Sequence, residues 1–243
     1  MSFPQTISGK PGWEKQTSTS QKHKLGTKMI IQDRVFRYAE AGEAITAGVL
    51  TKGKDGTDAH QVDLAVAAQS VGDTTITLTG SLTITKDQYK DGYIIFNDQG
   101  EAGHMYKIKG NTAVASATGC VITLDEEDGL ATAITTSQQV GLYENPYKDI
   151  EIMDFNGVDN APVGWAQIDI ASGSYGWLCV NGWTTALMDG APGPGIPLVQ
   201  SASVDGSVTL LDSDADAEGA IVGYNGPLAG VNGQYAFIKV NID

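Results

Sequence analysis

Apolar and polar residues alternate with a period of two along much of the chain after residue 28. Short runs rich in Thr, Ile, Val and Tyr, such as Thr74–Thr79 and Tyr93–Phe96, are separated by turns rich in Gly, Asn and Asp. These runs recur about every 8–12 residues, a spacing typical of small all-β units. β-branched and aromatic residues favour strands because they pack well on a pleated surface. The pattern therefore predicts an all-β protein.

The stretch Gly176–Met188, with the sequence GWLCVNGWTTALM, carries the strongest strand pattern. Its centre is the pair Asn181-Gly182, and both residue types tolerate the positive φ angles of a type I′ turn. The stretch is therefore interpreted as a two-residue β-hairpin in which Val180 lies opposite Trp183. Neither face of this hairpin is polar, so we expect protein to cover both faces, as in a β-barrel or sandwich core.

The order of the strand runs predicts a discontinuous domain. Residues 28–51 are strongly β in pattern but too few to form a domain alone. We expect them to pair with the C-terminal strands, so that 28–57 and 147–243 form one β-barrel or sandwich domain. Residues 58–146 carry a compact set of strand runs of their own. They are predicted to be a second small β-domain, inserted where the two ends of a loop lie close together.

Residues 1–27 show no periodicity and are rich in Ser, Thr, Gln, Lys, Gly and Pro. Such a segment cannot bury enough surface to fold alone. It is either a disordered tail or an extended N-terminal arm that becomes ordered on a partner, and the aromatic residues in a polar context favour the arm. The candidate partner-binding residues of the arm are Phe3, Lys10, Trp13, Lys15, Lys22 and Lys24.

The charge of the chain is uneven. Fifteen basic and 29 acidic residues give a net charge of −14. This balance argues against general binding to nucleic acid or to anionic membranes, because both require a basic surface. Residues 1–28, however, hold five lysines against Glu14 alone, a net charge of +4. We therefore expect the arm to bind an acidic surface, such as that of a neighbouring copy.

Candidate metal and phosphate sites are weak. Asp212–Glu218 places acidic residues at alternate positions, as a calcium loop does, but Ala217 and Gly223 stand where that loop needs Gly and Glu. Asp125–Asp128 is interpreted as a surface loop. Gly190–Gly195 has the glycines of a phosphate loop, but no helix follows and its prolines lack N–H donors. We predict no metal ion and no cofactor.

Catalytic chemistry also lacks a recognisable pattern. Cys120 and Cys179 lie in apolar strand runs and are predicted to be buried free thiols. His23, His60 and His104 have no partner at metal-ligand spacing. No Ser, Cys or Thr stands in a nucleophile-elbow sequence. Pairs of carboxylates could be drawn from so many acidic residues that they carry no information. The sequence therefore predicts a protein that is not an enzyme.

Three tryptophans in the C-terminal part permit two interpretations. Trp165, Trp177 and Trp183 could form a platform for carbohydrate rings or could belong to the hydrophobic core, and their apolar neighbours favour the core. The N-terminal stretch has no apolar segment of signal-peptide length. No run approaches the ~20 apolar residues of a transmembrane helix. We therefore expect assembly in a cytoplasm.

The inserted block carries a series of turn motifs in a fixed order. They are a QY-x-x-GY turn, an NDQGE segment (residues 97–101) that leads to Y-x-I, and a closing NPYK. The GE segment reads Gly100–Gly103 (GEAG), where a tighter GEG is expected. The positions concerned are Gln88-Tyr89, Gly92-Tyr93, Asn97-Asp98, Tyr106, Ile108 and Asn145–Lys148.

These motifs resemble a recurring segment of tailed-bacteriophage structural proteins. The opening residues 27–50 and the C-terminal motifs PVGWA and ALMDG resemble the same phages' capsid decoration and head stabilisation (cement) proteins. The resemblance implies a virion protein on the capsid surface, without catalytic residues, that bridges subunits of the major capsid protein and forms a homotrimer. The alternative is a tail, fibre or adhesin module that binds a host glycan through aromatic residues.

Overall fold

The computed structural model describes residues 6–98, 102–154, 161–211 and 221–243. Strand makes up 46% of these described residues and helix 3%, which confirms the predicted all-β class. In chain order the elements are β1 (Thr6–Ser8), a 3₁₀ helix (Trp13–Lys15), β2 (Lys28–Ile31), β3 (Arg34–Glu40), β4 (Leu50–Lys52), α1 (Asp58–Gln61), β5 (Leu64–Ala65), β6 (Thr75–Leu78), β7 (Leu82–Ile84), β8 (Tyr93–Asp98), β9 (Met105–Asn111), β10 (Val114–Ala117), β11 (Cys120–Leu124), β12 (Gln139–Tyr143), β13 (Glu151–Ile152), β14 (Pro162–Ala166), β15 (Tyr175–Leu187), β16 (Pro197–Gln200), β17 (Val208–Leu210), β18 (Ile221–Asn225) and β19 (Tyr235–Asn241).

The chain divides into two compact units. Unit 1 consists of Met1–Asp55 and Pro146–Asp243, and unit 2 is Gly56–Asn145. Both boundaries fall close to the positions expected from the order of the strand runs. Unit 1 is therefore discontinuous, and unit 2 is inserted into it between β4 and β13.

Unit 1 is built on one large sheet. Its strands follow the order β1-β2-β3-β15-β19-β18-β16-β17, with β4, β13 and β14 attached beside this path. β2 and β3 form an antiparallel pair about a turn at Gln32-Asp33. β3 pairs antiparallel with β15. This contact confirms that residues 28–51 pair with the C-terminal strands.

The long strand β15 corrects the predicted hairpin. Residues 175–187 form one continuous strand, which pairs with β3 through Tyr175–Asn181 and with β19 through Asn181–Leu187. A type I′ turn needs positive φ at both central residues. Gly182 has φ of +100°, but Asn181 is not among the residues with positive φ. The register with β3 instead shifts between Cys179 and Asn181, which places a bulge at Val180, directly before the predicted turn.

Two hydrophobic clusters pack on opposite faces of the first half of β15. Trp177 and Cys179 belong to a large cluster with Phe36 and Trp165. Leu178 points the other way and packs in a second cluster of buried residues. Each large apolar side chain removed from water contributes roughly 1.5–3 kcal/mol. The expectation that protein covers both faces is thus confirmed for this half of the strand.

Unit 2 has a core of its own. Its main sheet has the order β5-β12-β8-β9-β11-β6, and β7 and β10 form a separate antiparallel pair. Ile76, Ile94 and Phe96 are completely buried in its cluster. The short strand β5 follows directly after α1 in this unit.

Substitution of Gly182 tests the backbone geometry of β15 beside the bulge. A Cβ at this position would lie 2.5 Å from the carbonyl oxygen of Asp33. Gly173 also has positive φ, but a Cβ there meets nothing within 4 Å. We predict that Gly182→Ala lowers the free energy of unfolding of unit 1 by about 3 kcal/mol, because strain and a clash add. Gly173→Ala should cost roughly 1 kcal/mol from strain alone.

Urea denaturation followed by tryptophan fluorescence measures this difference, since all four tryptophans of the chain belong to unit 1. Equal losses in the two variants would contradict the bulge geometry.

Candidate partner-binding surfaces

The N-terminal segment lies along unit 1 in its described part, residues 6–27. β1 pairs in parallel with β2, and Ser18 forms an antiparallel bridge with Tyr175 at the start of β15. Ile7 packs against the large hydrophobic cluster. The expectation of an extended arm that becomes ordered only on a partner is therefore wrong for these residues. Their order comes from contacts with residues far along the same chain.

A buried carboxylate fastens the centre of this segment. Glu14 is only 4% exposed, accepts a hydrogen bond from the N–H of Gly12 at 2.7 Å, and forms an ion pair with Arg34 at 3.0 Å. Arg34 also donates to Gln167, which in turn donates to Thr184 on β15. Burial opposes ionisation of Glu14, but hydrogen bonds from the N–H groups of Glu14 and Gly12, together with Arg34, outweigh it and lower its pKa.

An aromatic cluster holds the end of the segment. The ring of His23 lies 5.1 Å from that of Tyr38 and 5.4 Å from that of Trp177. The hydroxyl of Tyr38 accepts a hydrogen bond from the N–H of Lys22 at 3.0 Å. Burial lowers the pKa of His23, so the neutral imidazole is the form that packs here at neutral pH.

The fold displays most of the predicted arm residues on one ordered segment. Lys10, Trp13, Lys15 and Lys22 are exposed, and Lys24 is half-buried. Between residues 6 and 37 there are seven cationic and two acidic side chains, a net charge of +5 on a chain of net charge −14. Phe3 lies outside the described residues. We call residues 6–27 the leader, and we call its residues Lys10, Trp13, Lys15, Lys22 and Lys24 the leader surface.

A second exposed surface lies on the outer face of β15, β18 and β19. Trp183 stacks on Phe237, with ring centroids 4.6 Å apart and an interplanar angle of 7°. Tyr235 lies two residues before Phe237 on the same face, and both are 52% exposed. Lys239 continues that face and pairs with Trp183 on one side and with Tyr224 on the other.

Loop residues extend this surface. Leu228 and Val231 join Tyr235 and Phe237 in lining a groove of about 240 Å³, to which Gln234 adds a polar side chain. Leu228 is 79% exposed. We call this surface the aromatic face; its members are Trp183, Tyr224, Leu228, Val231, Tyr235 and Phe237.

The aromatic face is not apparent from the apolar character of β19 alone. β19 reads Tyr-Ala-Phe-Ile-Lys-Val, and its members alternate between the two faces of the sheet. Ile238 and Val240 are buried, whereas Tyr235, Phe237 and Lys239 are exposed. The lysine in register with the two aromatic residues is the signal that could have identified the outer face.

The tryptophans and cysteines mostly follow the predictions. Trp165 and Trp177 are core residues, as favoured, whereas Trp183 is only half-buried. Cys120 and Cys179 are buried free thiols, which confirms that prediction. Burial raises the pKa of both thiols, that of Cys179 to about 11.

Other candidate sites remain without supporting geometry. The acidic run 212–218 lies outside the described residues. In the part of the chain that the structure describes, no group of three or more His, Cys, Asp or Glu side chains could hold a metal ion. None of the helices in the described ranges has the length and apolar character of a membrane span.

Comparisons with known proteins return no match, whether by family model, curated sequence or solved structure.

The ion pair of Glu14 with Arg34 predicts that the order of residues 6–27 depends on pH. Because the pKa of Glu14 in the folded chain is below its ordinary value of 4.5, its stabilisation is present above about pH 4.5 and is lost as the pH falls through the lowered pKa. We predict that amide protection of residues 9–19 falls over that range. Glu14→Gln should reduce the protection at least tenfold at pH 7, because a buried charge pair is broken.

Hydrogen exchange with correction for intrinsic rates measures this effect. Asp33→Asn is the matched control, since it removes an exposed carboxylate beside Arg34 in sequence. Unchanged protection in Glu14→Gln would show that the ion pair does not hold the leader.

Proposed function

We propose that this chain is a virion structural protein that decorates the outer surface of a tailed-phage capsid and bridges subunits of the major capsid protein. The motifs that resemble tailed-phage structural proteins run through both units. The observation that carries the proposal is the leader surface, a set of cationic side chains on an ordered segment of an otherwise acidic protein. The homotrimer implied by the resemblance stays a prediction.

A preformed surface lowers the cost of binding. A flexible arm must lose conformational entropy when it binds, and that loss weakens the complex. Here the β1–β2 pairing, the Glu14–Arg34 ion pair and the packing of His23 order the leader within its own unit. The exposed Lys10, Lys15 and Lys22 can therefore bind a partner with little further ordering of the backbone.

The charge of the leader surface favours an acidic protein partner. Complementary charges speed association and align two surfaces, and their effect decreases with salt. A nucleic acid fits less well, because the net charge of −14 repels a dense polyanion. On a capsid, copies bound to a symmetric lattice add up many contacts of modest strength. Bridging of neighbouring subunits then stabilises the shell.

Charge reversal at the leader surface tests the proposal. We predict that Lys10→Glu with Lys15→Glu weakens binding to purified shells that lack this protein by roughly tenfold, since each reversed ionic contact is worth up to about 1 kcal/mol. Shells are mixed with the chain and sedimented, and the bound fraction is measured at increasing salt. Wild-type binding should decrease with salt, and the variant's binding should depend on salt less.

The matched control is Lys86→Glu with Lys109→Glu. These lysines are exposed on unit 2, and their reversal changes the net charge by the same amount. Full shell occupancy by the Lys10/Lys15 variant, or an equal loss in the control, would contradict binding through the leader surface.

A second candidate function is a tail, fibre or adhesin module that binds a host glycan. The observation that favours it is the stacked pair Trp183 and Phe237, because exposed aromatic rings pack against the apolar faces of sugars. This function predicts glycan-array binding by the intact chain that Phe237→Ala abolishes. Trp165→Phe, a change in the buried core, should leave such binding intact. A chain that binds no glycan on the array would remove this candidate.

A further inference from the structure

The aromatic face exposes a large apolar area. Aromatic side chains present ~150–250 Å² each, so the half-exposed Tyr224, Tyr235 and Phe237 leave roughly 300 Å² in water. Leu228 and Val231 bring the total to about 500 Å², at the upper end of the largest apolar patches on monomers. Patches of this size mark interaction sites, because exposed apolar area is costly in water.

We propose that the aromatic face is a self-association surface, on which a second copy of this chain binds face to face about a two-fold axis. Two such faces together bury about 1,000 Å², which is the lower bound for a specific protein–protein interface. In a two-fold contact the same patch serves both copies, so one exposed face is sufficient to close the pair. The rings of Tyr235 and Phe237 then insert beside Leu228 and Val231 of the second copy.

The composition of the face favours a protein occupant over a sugar. Sugar sites combine a ring platform with several polar side chains that orient the hydroxyl groups. The groove beside Phe237 is instead lined mainly by Pro227, Leu228, Ala229 and Val231, and its polar side chains are those of Gln234 and Tyr235. Aromatic residues surrounded by aliphatic ones are typical of the centre of protein interfaces.

Charge gives this contact a distinctive dependence on salt. Among the described strand residues of the aromatic face, Lys239 is the one with a charged side chain. A contact between two such faces is therefore mainly apolar. Two copies of net charge −14 repel each other. Salt screens that repulsion and leaves the apolar contact in place. Association through the aromatic face should therefore strengthen with salt, whereas binding through the leader surface should weaken.

Sedimentation velocity of the full chain without shells tests the inference. We expect a monomer–dimer equilibrium in the micromolar range that shifts toward the dimer between 0.05 and 1 M NaCl. Leu228→Ser and Phe237→Ser should each weaken it at least tenfold. Leu228 lies in a loop and is mostly exposed, so its replacement leaves the fold intact. Val71→Ser is the matched control, because Val71 is an exposed apolar residue of unit 2.

Several results would overturn the inference. They are a monomer at 100 µM, association that salt abolishes, an equal effect of Val71→Ser, or a trimer as the associated species. Glycan binding by a chain that stays monomeric, lost in Phe237→Ser, would assign the face to a sugar instead. The inference goes beyond the proposed function and is independent of it, because this experiment contains no shell protein.

Discussion

The pairing of β15 with both β3 and β19 is the contact on which unit 1 depends. β3 comes from the first part of the chain and β19 from its end, and the two bind successive halves of one 13-residue strand. The bulge at Val180 lies where the pairing of β15 with β3 ends and its pairing with β19 begins. It allows Trp177 and Ala186 to face the same core although they are an odd number of residues apart. Insertion of unit 2 is tolerated because this contact joins the two parts of unit 1.

The same strand also positions both candidate surfaces. Its first residue, Tyr175, bridges to Ser18 and so supports the leader, and its second half presents Trp183 to the aromatic face. The leader surface is cationic and rigid, and the aromatic face is apolar. Opposite responses to salt follow from this difference, because screening weakens attraction between unlike charges and also weakens repulsion between like-charged copies.

Local patterns predicted the elements that depend on local rules. The pairing of residues 28–51 with later strands followed from their strand pattern and from the small number of strands that they can form. The hairpin predicted at Asn181-Gly182 was wrong because a positive φ at Gly182 is compatible with a bulged strand as well as with a turn. The neighbouring strands decide between the two. The prediction for the leader was wrong because the residues that hold it, Arg34, Tyr175 and Trp177, are distant from it in sequence. The aromatic face was missed because alternation does not tell which face of a strand is covered.

The central claim is that a passive β-scaffold is held on a shell through its preformed leader. A cryo-electron microscopy reconstruction of decorated particles tests it most directly, because it shows which side of unit 1 meets the shell. We expect Lys10 and Lys15 to lie against acidic side chains of the capsid protein, with residues 6–27 still packed on β2 and β15. Well-occupied density in which the leader surface faces solvent, away from every neighbouring subunit, would contradict it.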